Sequence, residues 1–103
     1  MEITTAALDI KQDTAREQFR FDMKGDEDAF MQYAIKTKPN PNVLDIQKTY
    51  VPDVLSSVGI EEAMALQAVR FADKMGYRIK ATCPFMSGYL NRHPEFNNMR
   101  AAQ

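Results

Sequence analysis

Two side chains and one loop carry the chemistry this sequence can offer. Cys83 closes an alternating apolar stretch and stands directly before Pro84 and a short helical segment. A thiol at a helix start is favoured as thiolate, the nucleophilic form, so Cys83 can accept an acyl group or lie beside a thioester. The more common reading of such a position is a buried, inert cysteine that finishes a strand's apolar face. His93 carries an imidazole, which titrates near neutrality and can take a proton from an amine. Its place before Pro94 reads more readily as an exposed residue at a helix stop. The loop Ser56-Ser57-Val58-Gly59 leads into a helix whose N-terminal amides can hold a phosphate, and its small residues let an anion approach the backbone. The alternative is that the serines cap the helix and Gly59 serves the turn. One cysteine and one histidine cannot build a zinc site without carboxylates or a second chain, so no metal is expected.

The elements that must position these residues follow from periodicity. Phe19, Phe21 and Met23 alternate with polar residues as in a half-buried strand. Gly25 to Asp28 supplies a turn, and Ala29 to Lys36 forms a second strand with Phe30, Tyr33 and Ile35 to bury. Lys38-Pro39-Asn40-Pro41-Asn42 breaks the chain before a third strand, Val43 to Val51, with Leu44, Ile46 and Tyr50 on one face. Ile60, Ala63, Met64, Ala68, Phe71 and Met75 recur at helical spacing, and Gly76 suits the residue just past that helix. Tyr77, Ile79, Ala81 and Cys83 alternate against Arg78, Lys80 and Thr82 as a fourth strand. Phe85 to Asn91 makes a short helix stopped at His93-Pro94.

The order is β-β-β-α-β-α, an α/β mixed sheet in which the long helix brings the fourth strand parallel to the third. The helix start then sits at the carboxyl ends of two parallel strands, a usual place for a ligand. A length of 103 residues fits one domain over 1–103, with 1–9 a loose tail or extra strand and 97–103 frayed. A net charge of −1 gives no field for nucleic acid or an anionic membrane. No apolar run is long enough to span a bilayer, and the first residues lack the pattern of a signal peptide. A single cysteine fits a reducing, cytoplasmic setting.

Tyr50-Val51-Pro52, the Gly59-Ile60 step into a helix, Cys83-Pro84-Phe85, Tyr89-Leu90 and Arg92-His93-Pro94-Glu95-Phe96 together resemble the short stand-alone GNAT-related N-acetyltransferase-like proteins. The resemblance runs from Tyr50 to Phe96, with weaker matches upstream. It implies a minimal GNAT-like fold with the pantetheine arm of coenzyme A between two splayed parallel strands and its pyrophosphate on the loop before the long helix. Tyr50, Val51, Ser56, Ser57, Val58, Gly59, Ile60 and Glu61 are the implied cofactor-binding positions. The implied reaction moves an acetyl group from acetyl-CoA to a primary amine by direct attack. Cys83 and His93 stand in it as candidates, and Tyr89 is the implied proton donor to the leaving thiolate; its ring can equally pack on the sheet. Lys36, Lys38, Arg78 and Lys80 either touch the phosphates or form a solvated face. An exposed sheet edge would favour a homodimer.

The loop departs from the family's Arg/Gln-x-x-Gly-x-Gly/Ala pattern. Ser56, Gly59 and Glu61 stand at its three marked positions, so only the middle glycine is kept. Glu61 and Glu62 bring negative charge to the helix start. Close like charges weaken pyrophosphate binding by about 1–3 kcal/mol. Weak or absent coenzyme A binding is therefore expected. The alternative function is a catalytically inactive GNAT-like module used for protein binding or oligomerisation.

Overall fold

Residues 10–21, 28–37, 42–52 and 59–101 are described by a computed structural model. They run β1 (Lys11–Asp13), β2 (Gln18–Phe21), β3 (Ala29–Lys36), β4 (Val43–Tyr50), α1 (Ile60–Met75), β5 (Arg78–Ala81) and α2 (Pro84–Arg92), then a 3-10 helix (Pro94–Met99). Among the described residues the strands form one sheet in sequence order, antiparallel from β1 to β4 and parallel between β4 and β5. The β-β-β-α-β-α order is therefore present. The additional strand β1 is Lys-Gln-Asp, whose polarity gives no strand signal. Residues 1–9, most of the first turn, the Pro39–Pro41 breaker and the 53–58 loop lie outside the described residues.

The helices share one face of the sheet. Met31 and Tyr33 of β3, Leu44 and Ile46 of β4 and Ile79 of β5 meet Ile60, Met64, Ala65, Ala68 and Val69 of α1 and Met86, Tyr89 and Leu90 of α2 in one cluster. Alanines at 63, 65, 68 and 72 let α1 lie close on the strands. Each fully buried Ile, Leu or Met contributes about 1.5–3 kcal/mol. Gly76 ends α1 at φ 74°, a left-handed conformation that a side chain resists.

Three details of the sheet differ from simple alternation. In β3 the inward residues are Ala29, Met31 and Tyr33, whereas Phe30 faces the other way and meets Tyr50, with ring centroids 5.7 Å apart. Ile35 shares the inward parity but is 38 % exposed, as is Met75 at 49 %, because both lie at the ends of their elements. In β4 the register slips: Gln32 pairs with Lys48 but Tyr33 with Ile46, which leaves Gln47 as a bulge. The extra residue reverses the alternation. Thr49 inherits the helix-covered face of Leu44 and Ile46, and Tyr50, expected beside them, turns to the opposite face.

The C-terminal segment is held rather than frayed as far as Ala101. The amide of Ala101 donates to the Ile79 carbonyl at 2.7 Å, Arg100 bridges Ile79 in parallel, and the Arg78 guanidinium donates to the Asn98 carbonyl at 2.8 Å. The outer edge of β5 offers unpaired backbone groups, and this segment takes them.

Ile46→Ala is expected to cost about 2–5 kcal/mol, and Tyr50→Ala clearly less, since Tyr50 is only half-buried on the uncovered face. Urea unfolding measures both; equal losses would return Tyr50 to the core.

Candidate active site

The parallel pair β4–β5 opens into a fork. Pairing runs from Val43 with Arg78 to Ile46 with Ala81 and stops there. The Ile46 carbonyl then accepts two amides, Thr82 and Cys83, both at 3.0 Å. Beyond this point β5 turns into α2 while β4 continues through Thr49 and Tyr50, held by Met31 and Phe30 of β3.

Cys83 sits in the fork and is 5 % exposed. It is the N-cap of α2, where its sulfur accepts the Met86 amide at 3.4 Å in the way a serine oxygen commonly would. Pro84 fills the first helical position, where a missing N–H costs nothing. Thr49 Oγ1 lies 3.5 Å from Cys83 Sγ. The pairing of Thr49 with Cys83 escapes sequence reasoning, because only the bulge at Gln47 brings Thr49 to this side.

The N-cap of α1 is Gly59 at φ 82°, which has no side chain to cap the helix; the serines named as the alternative caps lie outside the described residues. No described atom lies within 4 Å of where a Cβ on Gly59 would stand. The positive φ, not crowding, is what favours glycine here. Ile60 is buried in the core, and Glu61 follows it half-buried. Burial, and then the neighbouring Glu62 carboxylate, push the Glu61 carboxyl above its ordinary value. Tyr50 and Val51 are half-buried at the end of β4, Val51 against the core cluster. Ser56, Ser57 and Val58 lie outside the described residues.

Tyr89 and His93 form a second group. Tyr89 is 4 % exposed, and its ring lies 4.3 Å from the His93 ring and 6.3 Å from that of Phe96. Burial raises the Tyr89 phenol, and the fields of Glu95 and Glu62 raise it further. The phenol therefore stays protonated at neutral pH. Glu95 Oε2 lies 3.2 Å from His93 Nδ1, and its carboxyl is held low by its own backbone amide and then by His93. The structure joins Tyr89 to His93 but not Cys83 to His93. The two cap opposite ends of α2, ten residues apart, which corresponds to about 15 Å along the axis.

Lys36, Arg78 and Lys80 are exposed, and Lys36 and Arg78 stand at the end of the sheet away from Gly59. They are a solvated face at that end and do not line the α1 start. Lys38 lies outside the described residues. Among the described residues no three metal-binding side chains converge, and no helix is long and apolar enough to cross a membrane.

A fork in a parallel pair, followed after the first of its strands by a helix that begins at a glycine, is the geometry the motifs imply. The family model of the GCN5-related N-acetyl-transferases matches residues 18–99. The chain belongs to that family. Among solved structures, this GNAT-family chain is similar to a GCN5-like protein of Staphylococcus aureus determined in solution by NMR. The TM-score is 0.70 at 23 % identity, covering 93 % of this chain and 90 % of that one. At that identity the likeness speaks for the fold. A comparison with curated proteins finds no match.

The raised Glu61 carboxyl has a testable sign. An acid whose folded value lies above its unfolded 4.5 contributes stability that is present below that pH and lost as pH rises through the folded value. Glu61→Gln is therefore expected to melt higher than the natural protein at pH 7, with the gap closing below pH 4.5. A pH-independent gap would mean that the substitution acts through packing instead.

Proposed function

We propose that this GNAT-family protein transfers an acetyl group from acetyl-CoA to a primary amine, by direct attack of the amine on the thioester. The observation that carries the reading is the fork: β4 and β5 stop pairing after Ile46 and Ala81, with Cys83 and Thr49 in contact just beyond, and Gly59 begins the helix that follows β4. The pantetheine arm fits between parting parallel strands, where it can take the backbone hydrogen bonds the strands no longer make to each other. The pyrophosphate fits the N-terminal amides of α1 beside Gly59. Glu61 opposes it. The backbone thus suits coenzyme A better than the side chains do, and binding is expected to be weak.

The amine nitrogen attacks the acetyl carbon, an N–C bond forms, and the C–S bond breaks. The leaving thiolate takes a proton from the Tyr89 phenol, which is kept protonated by its burial. The proton released by the new amide nitrogen passes through solvent to His93, whose ring lies tilted 4.3 Å from that of Tyr89, and solvent restores the phenol. Cys83 lines the thioester carbon's surroundings without attacking it. Its sulfur is already engaged by the Met86 amide and lies against Thr49, and His93 is too far along α2 to serve as its base. The acceptor is an amine of a small molecule or a protein. The free thiol suits a reducing cytoplasm.

Glu61 also favours a second reading, a GNAT module that no longer binds coenzyme A and serves protein association. Calorimetry with acetyl-CoA separates the two. The natural protein is expected to bind weakly, and Glu61→Gln to bind about tenfold tighter, as removal of one close like charge predicts. Binding by neither protein would leave the association module. In an amine acetylation assay, Cys83→Ser is expected to keep most of the activity; complete loss would point to a covalent acyl-cysteine.

A further inference from the structure

Asp45 is the one buried charged side chain among the described residues, at 4 % exposure. A carboxylate in such a place costs several kcal/mol unless it is hydrogen-bonded, so packing alone does not account for it. It lies on the opposite side of β4 from Leu44 and Ile46, in register with Lys80, and accepts the Thr82 hydroxyl at 2.5 Å. Thr82 is the first residue past β5. Its own amide, and that of Cys83, already share the Ile46 carbonyl. Two amides on one acceptor form a weaker joint than two separate bonds. The Asp45–Thr82 bond reinforces that joint from the other face of the strand.

We propose that Asp45 and Thr82 are positioning residues of the fork: their hydrogen bond fixes where β4 and β5 part and so holds Cys83 and the start of α2 in place. The consequence for acetyl-CoA rests on the function proposed above; the consequence for Cys83 does not. Neither residue touches the reacting atoms. Thr82 acts through the backbone it shares with Cys83, and Asp45 acts through Thr82. Because Thr82 is exposed, Thr82→Val removes the hydroxyl and keeps the branched shape without opening a cavity in the core.

The test reads the rate at which iodoacetamide alkylates Cys83 in the folded protein. Thr82→Val is expected to speed it about tenfold, the change that one hydrogen bond to a charged group is worth, and Thr82→Ser to restore the natural rate. Val69→Ala, a core truncation in α1 that leaves the Asp45–Thr82 hydrogen bond in place, controls for general loss of stability. An unchanged rate in Thr82→Val, or an equal acceleration in Val69→Ala at matched melting temperature, overturns the proposal. Calorimetry adds the second arm. Thr82→Val is expected to weaken acetyl-CoA binding several-fold while Val69→Ala leaves it unchanged; an unweakened Thr82→Val overturns the claim that the latch shapes the cleft. If the natural protein binds no acetyl-CoA, the acetyltransferase reading fails, and the alkylation rates still decide the latch.

Discussion

Everything that makes this protein more than a covered sheet depends on one carbonyl, that of Ile46, which receives the amides of Thr82 and Cys83. It is the last backbone link between β4 and β5, and the reasons lie on both sides of it. On the β5 side, Pro84 has no N–H to give and a fixed φ that starts a helix, so the chain must leave the sheet. On the β4 side, β3 is long enough to keep pairing through Met31 with Thr49 and Phe30 with Tyr50, so that strand carries on. One strand is stopped by a residue that cannot donate and the other is prolonged by a partner that can. The opening between them is a consequence of local chemistry, and α1 only has to bring β5 back alongside.

Much of this was legible in the sequence because the signals are local and repeated. Four turns of apolar spacing, a glycine behind them and acidic residues ahead mark α1, and Cys83-Pro84 marks the stop of β5 and the start of α2. What escaped was carried by single residues or distant contacts. A bulge adds one residue to one strand, and period-two reading has no means of registering it, so Tyr50 was assigned to the face that Thr49 occupies. The strand Lys11–Asp13 is polar because it is a short edge, where charge guards against further pairing. The held C-terminal segment depends on the β5 edge, more than fifteen positions away in sequence, and no local property of Asn97 to Ala101 announces it. The site residues divide in the same way. Cys83 and Gly59 were found from their neighbours, and the remoteness of His93 from Cys83 appears only once α2 is laid out at full length.

The start of α1 sets two electrostatic effects in opposition. A carboxylate in the first turn of a helix is favoured by the macrodipole, by about 0.3–1 kcal/mol, which would pull its titration downward. Glu61 moves upward instead, with burial the first cause and Glu62 the second. A phosphate arriving at the same spot would meet the same neighbouring carboxylate. Under the proposed coenzyme A binding, direct contact with the first amides of α1 would hold it, beside the left-handed Gly59. The glycine would then matter more to such a site than the charge of the surrounding side chains, and a carboxyl two residues further on would weaken it.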